Sequence, residues 1–454
     1  MSHTIRSLLT VVIIAAALVA IGQLQSWSVA FAIINLCLIS ALMSLGLNIQ
    51  WGYAGLFNAG VMGFAALGGV AAVLVSQPPV PEAWSAGGLG ILMAGLALAA
   101  GVFIILFARK RMVEGKLRNL ATTVLVIGTW FACREIYGPA AEAIESVDPA
   151  KTGYLGGLGL PIVIAWPIGG LLAAGAAFLI GKVALGLRSD YLAIATLGIS
   201  EIIIAMIKNE DWLTRGVKNV SGLSRPVPYE VDLQQAAWFK DLVVRFNESK
   251  LAGLSDVARE AALHQMTIEG SSIFVKACYA LLFALVLAVV YWLAHRAQKS
   301  PWGRMMRAVR DNEDAAEAMG KDVTARHLQI FVIGSAVIGI AGAMLTTLDG
   351  QLTPGSYTPL RFTFLIWVMV IVGGSGNNLG SILGAFMVWI LWIEAEPVGT
   401  WLVQTLTSGM ADGNALKMHL IESAPHMRLI AMGAILLLVL RFSPQGLIPE
   451  QVRR

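Results

Sequence analysis

The sequence predicts an all-α polytopic integral membrane protein, a single transmembrane domain over residues 1–454 with about 10–12 transmembrane or re-entrant helices. Three observations predict it. Hydrophobic residues make up 57% of the chain and charged residues only 13%, against about 25% charged in soluble domains, and mean hydropathy is +0.73. Apolar runs of the length a bilayer core demands recur from end to end. Short loops rich in Lys and Arg alternate with short loops nearly free of them, which is the pattern that orients membrane helices.

Twelve apolar segments follow, at approximately 6–24, 28–48, 54–75, 89–108, 119–138, 162–182, 190–207, 273–296, 328–348, 360–373, 378–396 and 427–441. The first follows Arg6 and resembles a signal peptide. It lacks a small-x-small cleavage site and leads straight into another span, so it reads as a retained helix. The tenth is short for a full crossing and reads as re-entrant or broken. Glycines cluster at Gly52, Gly55, Gly60, Gly63, Gly68 and Gly69, and again at Gly373, Gly374 and Gly376; small residues let membrane helices approach closely. After the second cluster, NLGSILGA reads as a helix restart capped by Asn377 or Asn378. Broken helices are favoured sites of substrate contact in transporters. Gly373 and Gly374, with Asn48 and Asn58 flanking the GYAGLFNAG turn, are therefore candidate pathway residues, and the two asparagines read equally as helix caps.

Basic residues in the short loops set the orientation. Arg109, Lys110, Arg111, Lys116 and Arg118 crowd one loop, and Lys182 and Arg188 mark another. Arg296, Lys299 and Arg326 surround a third, whereas segments 76–88 and 139–161 hold only Lys151. Alternation places the N-terminus and the C-terminal tail (Arg441, Arg453, Arg454) in the cytoplasm, on the side of the third loop. The long segment 208–272 then lies outside as a loop insertion. Within it DLQQAAWFKDLVVRF and LSDVAREAALHQM read as two short amphipathic helices, forming either a cap over the outer mouth or an insertion without a pathway role.

The third basic loop is the charged island of the chain, PWGRMMRAVRDNEDAAEAMGKD from Pro301 to Asp322. As one helix it aligns Met305, Val309, Asn312, Ala316 and Met319, with Gly320 placed for a left-handed cap. Arg304, Arg307 and Arg310 precede Asp311, Glu313, Asp314 and Glu317, an order that opposes the helix macrodipole. The i,i+4 pairs Arg307–Asp311 and Arg310–Asp314 recover only tenths of a kcal/mol each. A helix poorly tuned for itself fits a partner's surface; the plainer reading is a solvated loop helix.

Buried charge within the apolar runs is costly and therefore informative. Glu201 lies about 13 residues beyond Arg188, and Arg134 about 16 beyond Arg118. At 1.5 Å per residue these depths are roughly 20 and 24 Å. The match predicts an intramembrane Arg134–Glu201 ion pair, or Glu201 facing a wet cavity on the pathway. Cys37, Cys133 and Cys278 are far apart in apolar runs and read as packing residues, and His295 and His327 as interfacial ones. The chain has no G-x-x-x-x-G-K-[ST] phosphate loop, no arginine-ladder voltage sensor and no hydrolase motif. With a net charge of +4 and no block of like charge, it shows no nucleic-acid footprint.

Four stretches together carry a resemblance. They are LNIQWGYAGLFNAGVMGFAALGG (47–69), LRSDYLAIATLGISEII (187–203), SPWGRMMRAVRDNEDAAEAMG (300–320), and IVGGSGNNLGSILGA (371–385) with RFSPQGLIPE (441–450). In order and spacing the set resembles the permease subunits of ABC importers for branched-chain amino acids, the LivM-like branch. That resemblance implies a bacterial inner-membrane protein that moves leucine, isoleucine, valine or related small solutes inward. It implies as partners a second permease subunit, two ABC ATPase subunits and a periplasmic solute-binding protein, besides membrane lipid. ATP is bound by the separate subunits, and the chain needs no cofactor or catalytic residue of its own. Segment 300–322 becomes a cytoplasmic coupling helix, with Arg304, Arg307, Arg310, Glu313, Glu317 and Gly320 as ATPase-coupling residues. The order Ala315-Ala316-Glu317 departs from the Glu-Ala-Ala common in importers, and segment 208–272 is longer than the family core requires. Three other readings stand beside this one: a urea or short-chain amide permease of the same architecture, an ion-coupled secondary transporter using Glu201, and a membrane-embedded structural or assembly subunit without transport.

Overall fold

In hydrocarbon, backbone N–H and C=O groups have no water to pair with, so apolar segments satisfy them internally as helices. The computed structural model describes residues 3–148, 153–187, 189–252, 254–410 and 414–450. Each of the twelve apolar segments contributes to a helix. In chain order these are α1 (His3–Leu24), α2 (Trp27–Ala54), α3 (Val61–Ser76), α4 (Leu89–Arg111), α5 (Lys116–Glu145), α6 (Ala165–Ala184), α7 (Ser189–Asn209) and α8 (Asp256–Lys299). The island gives α9 (Pro301–Asp311) and α10 (Glu313–Ala318). After it come α11 (Val323–Asp349), α12 (Pro359–Gly373), α13 (Asn378–Leu406) and α14 (Met427–Phe442). Among the described residues nine helical stretches are long and apolar enough to cross a bilayer, and Val61–Ser76 and Phe362–Gly373 are shorter apolar helices. The segment expected to start at residue 54 begins later. Gly55 takes a left-handed conformation (φ 71°) that closes α2, and the chain stays unwound until Val61. Lys151, Arg188, Arg453 and Arg454, used in the orientation argument, lie outside the described residues.

The core is built around α2 and α11. Helix α11 packs on α2, α3 and α6, and α2 also packs on α8 and α13. Close approach of α3 to α11 depends on glycine: a Cβ at Gly68 would strike the Gly339 carbonyl, and one at Gly342 would strike the Ala65 carbonyl. The packing reading of the first glycine cluster therefore holds for Gly68. Helices α4 and α5 pack on each other as a hairpin; α4 presents Leu92, Leu96, Phe103 and Phe107 outward, as a lipid-facing helix does. Side chains cap several helix starts, among them Ser26, which accepts from the Val29 amide (3.2 Å), Asp322 from the Ala325 amide (2.9 Å) and Asn377 from the Leu379 amide (3.0 Å). Asn377, not Asn378, is thus the cap after the glycine break.

The island is two helices where one was expected. Asn312 leaves the helical region (φ −160°) and its side chain accepts the Ala315 amide at 2.9 Å, starting α10. Of the aligned stripe Val309 and Ala316 are buried, as is Met306 beside it, whereas Met319 is 79% exposed. Gly320 does adopt the expected left-handed conformation (φ 76°). The break also bears on the charge order. Arg310 lies in the last turn of α9, and Glu313 and Asp314 lie in the first turn of α10, so these three charges suit their helix dipoles, while Asp311 and Glu317 at the C-terminal ends do not.

At the far end of the molecule, segment 208–272 is packed. Strand β1 (Val220–Ser221) pairs antiparallel with β2 (Gln351–Leu352), just after α11. DLQQAAWFKDLVVRF forms helices Glu230–Gln235 and Ala237–Phe246 against α8, burying Phe239 and Val243. LSDVAREAALHQM is not a separate helix: from Asp256 it is the first part of the 44-residue α8, which runs through Gly270 without a break, and no proline interrupts the run into the next apolar segment.

Candidate functional site

The island lies on the break between α12 and α13. That break is a four-residue turn, Gly374 to Asn377, with Gly374 at φ 113° and Gly376 at φ 82°. Only glycine takes such backbone angles without strain. Both polar backbone groups of Gly376 are held by side chains from other helices. Its N–H donates to Asn48 Oδ1 at 2.8 Å, and its carbonyl accepts from Gln298 Nε2 at 2.8 Å. Asn48 donates in turn to Asn378 Oδ1 (3.0 Å), to which the Tyr53 hydroxyl also donates (2.5 Å). A buried polar network of this kind fixes geometry when every member is satisfied.

Arg310 ties the island to this turn. Its guanidinium donates to the Gly52 carbonyl near the end of α2, pairs with Glu450 at 2.9 Å, and reaches its neighbour Asp311 at 3.2 Å. Glu450 belongs to a tail that folds back beneath α12: the Leu447 amide donates to the Val372 carbonyl (2.9 Å) and the Ile448 amide to the Gly373 carbonyl (3.1 Å). One side chain thus joins the island, α2 and the tail. The expected pairs Arg307–Asp311 and Arg310–Asp314 are not among the ion pairs of the described residues. Arg307 instead donates to the Gln298 carbonyl (3.5 Å) and Arg304 to the Lys299 carbonyl (3.3 Å). Glu313 lies 3.7 Å from His327 Nε2. Arg304, Glu313, Glu317 and Gly320 are exposed on the outer surface of the island.

A second network sits where α2 unwinds. Gln50, fully buried, donates to the Phe331 carbonyl (2.9 Å) and Ser335 Oγ (3.0 Å), and accepts from Asn58 Nδ2 (2.8 Å). The Asn58 carbonyl accepts from Trp367 Nε1 (3.0 Å). Trp367 stacks on Phe57 with ring centres 4.1 Å apart and lies 4.7 Å from Trp51.

The pathway candidates therefore divide. Asn48 and Asn58 have no exposed surface and spend their amides on these networks, while Gly373 and Gly374 are packed against Gly380 and the tail. Glu201 is exposed on α7, and Arg134 is exposed on α5. They do not form the expected ion pair; the Arg134 guanidinium lies over the Trp130 ring at 5.4 Å. Their depths along the two helices match, but residue counting says nothing about which way a helix face points. Sequence reasoning missed Tyr53, Gln50, Gln298 and Glu450. Glu450, Gln50 and Tyr53 had a signal, since they lie in the RFSPQGLIPE and LNIQWGYAGLFNAG stretches; Gln298 had none beyond polarity beside an apolar run.

Residues 149–440 match the family described as the permease component of branched-chain amino acid transport systems. The chain belongs to that family. Its relatives include the high-affinity branched-chain amino acid transport system permease protein LivM of Escherichia coli, 27% identical over 292 residues, 64% of this chain and 58% of the relative. A probable LivM of Methanocaldococcus jannaschii is 28% identical over 188 residues, 38% of this chain and 47% of the relative. The fructose import permease protein FrcC of Rhizobium meliloti is 24% identical over 135 residues, 29% of this chain and 36% of the relative. The match thus spans under two thirds of these relatives' lengths. No solved structure matches the chain. The branched-chain permease family match includes the island, the glycine break and most of α14, but stops short of Glu450.

Proposed function

We propose that the chain is the transmembrane permease subunit of an ABC importer that carries branched-chain amino acids or closely related small solutes inward. Family membership supports the transport class, and the island supports the mechanism. In this reading the island end faces the cytoplasm, and its exposed Arg304, Glu313 and Glu317 meet an ATPase subunit through complementary charge. ATP is bound and hydrolysed on two such subunits, and a periplasmic binding protein delivers solute to the β1–β2 end. Closure of the ATPases displaces α9 and α10. Arg310 passes that displacement to the Gly52 end of α2 and to the Glu450 tail, and Gly376 passes it to the α12–α13 break. Glycine turns move more readily than helices do, so the break is the natural hinge. A carboxylate exposed at mid-span is costly in lipid; Glu201 on α7 therefore favours a second permease subunit covering that face.

The single observation that carries this reading is the Arg310 junction on the glycine break. Its test is affinity purification from native membranes beside the variant Arg310→Glu. The expected result is recovery of a nucleotide-binding ATPase with the wild-type chain. The variant should stay in the membrane with solute uptake reduced at least tenfold. Recovery of an ATPase-free chain, under conditions that preserve other membrane complexes, would sink the importer reading.

A further inference from the structure

A cavity of about 360 Å³ opens among α2, α3, α11, α12, α13 and α14. That volume lies in the range of small-molecule sites. Asp349, the last residue of α11, lies at the opposite end of that helix from the island, so the cavity opens toward the β1–β2 end. Met43, Met62 and Met369 line it from three helices, with Trp389 and Trp392 from a fourth; Ser40, Asp349, Ser356 and Arg428 are, besides the tryptophan N–H groups, the polar side chains among its described lining residues. Methionine fills irregular apolar space and adapts to different aliphatic shapes.

Two of those polar groups are chemically unspent. The Asp349 carboxylate is accessible and has no hydrogen bond or ion pair among the described residues. It also sits at the C-terminus of α11, where the helix dipole is negative, so its own charge is misplaced and a cation beside it would be stabilised twice. Arg428 pairs with Glu396, but its Nε–H is buried without a partner, and such a donor costs free energy until an acceptor arrives.

We propose that this cavity is a transit site for a zwitterionic α-amino acid with an apolar side chain. Its ammonium is held by Asp349, its carboxylate by Arg428, and its aliphatic part by the methionines and tryptophans. This rests on the importer reading and narrows it. A hexose needs a hydrogen-bonding partner for each of several hydroxyls, and the few polar groups among the lining residues do not supply them. A bare inorganic ion would leave the methionine wall without a role.

The test uses the assembled importer in proteoliposomes with its binding protein, and compares wild type with Asp349→Asn, Asp349→Glu and Met43→Trp. Leucine uptake should fall at least tenfold in Asp349→Asn and in Met43→Trp, which fills the cavity, and recover to within threefold in Asp349→Glu. Binding-protein-stimulated ATP hydrolysis should stay within twofold of wild type in all three. In a Ser40→Cys chain within the same complex, leucine should protect the thiol from a membrane-impermeant maleimide, and fructose should not. Wild-type leucine uptake with undiminished uptake in Asp349→Asn and Met43→Trp overturns the cavity assignment alone, as does a thiol that leucine leaves unprotected. Wild-type vesicles that accumulate a hexose and not leucine overturn the proposed function itself.

Discussion

Arg310 is the residue that ties the island end together, because its guanidinium serves two partners at once. It donates to the Gly52 carbonyl and pairs with Glu450; a lysine keeps the charge but has no planar fork for both. Arg310→Lys should therefore fall between wild type and Arg310→Glu in uptake, with membrane insertion unchanged; equal uptake by Arg310→Lys and wild type would show that the fork is dispensable. Asn48 is a different case. It is fully buried, and Asn48→Leu would leave the Gly376 amide without its acceptor. That costs about 1–3 kcal/mol and should lower the melting temperature in detergent. Sequence singled out both residues but not what they touch. Arg310 was legible as one of the island's basic residues and Asn48 as an amide in an apolar run. Gly52 is 258 positions from Arg310, and Asn378 is 330 from Asn48, so a one-dimensional pattern holds no trace of either contact.

At the scale of elements, helices were legible and their interruptions only partly so. Hydrocarbon leaves an apolar run of twenty residues few alternatives to a helix, and each predicted segment contributes to one. The break after Gly373 was legible because glycines punctuate it. The break at Asn312 was not, although the charge order pointed to it: acids following bases oppose one dipole, whereas Arg310, Glu313 and Asp314 suit two. Asn312→Ala removes the cap of α10 and should cost about 1 kcal/mol locally. Uptake should drop in Asn312→Ala and be kept in Asn312→Asp, which can cap; equal uptake by both would mean that the cap is idle. Close packing supplies a sharper contrast. Gly342→Leu forces a side chain into the Ala65 backbone, whereas an added Cβ at Gly433 meets nothing within 4 Å. Membrane yield should collapse in the first and stay near wild type in Gly433→Ala, measured by fluorescence-detected size exclusion.

Over the whole molecule, the two ends are tied by different means. The island end is joined by side chains to a glycine hinge. The other end is strapped by two short strands, with Ser221 opposite Gln351 in register. If the outer mouth works by moving α11 against segment 208–272, a disulfide between Ser221→Cys and Gln351→Cys should stop uptake, and reductant should restore it. Unaltered uptake in the oxidised pair would make the strap static. The expected orientation is checked in the same background: Glu317→Cys should react with an impermeant maleimide only in inverted vesicles, and Trp238→Cys only in right-side-out ones. The mispredicted Arg134–Glu201 pair shows why whole-molecule placement lagged behind element prediction. Depth along a helix follows from counting residues, but azimuth follows from what packs around it, and both residues face away from the core of this chain.

The tail that returns to the glycine break imposes an order of assembly on the protein. Val372 and Gly373 emerge before α13 and α14, yet their carbonyls are bonded by Leu447 and Ile448, which follow both helices. Until α14 has inserted and the chain has doubled back, the hinge is open-edged and Arg310 lacks Glu450. The Arg310 junction is therefore complete only after the last membrane helix is in place.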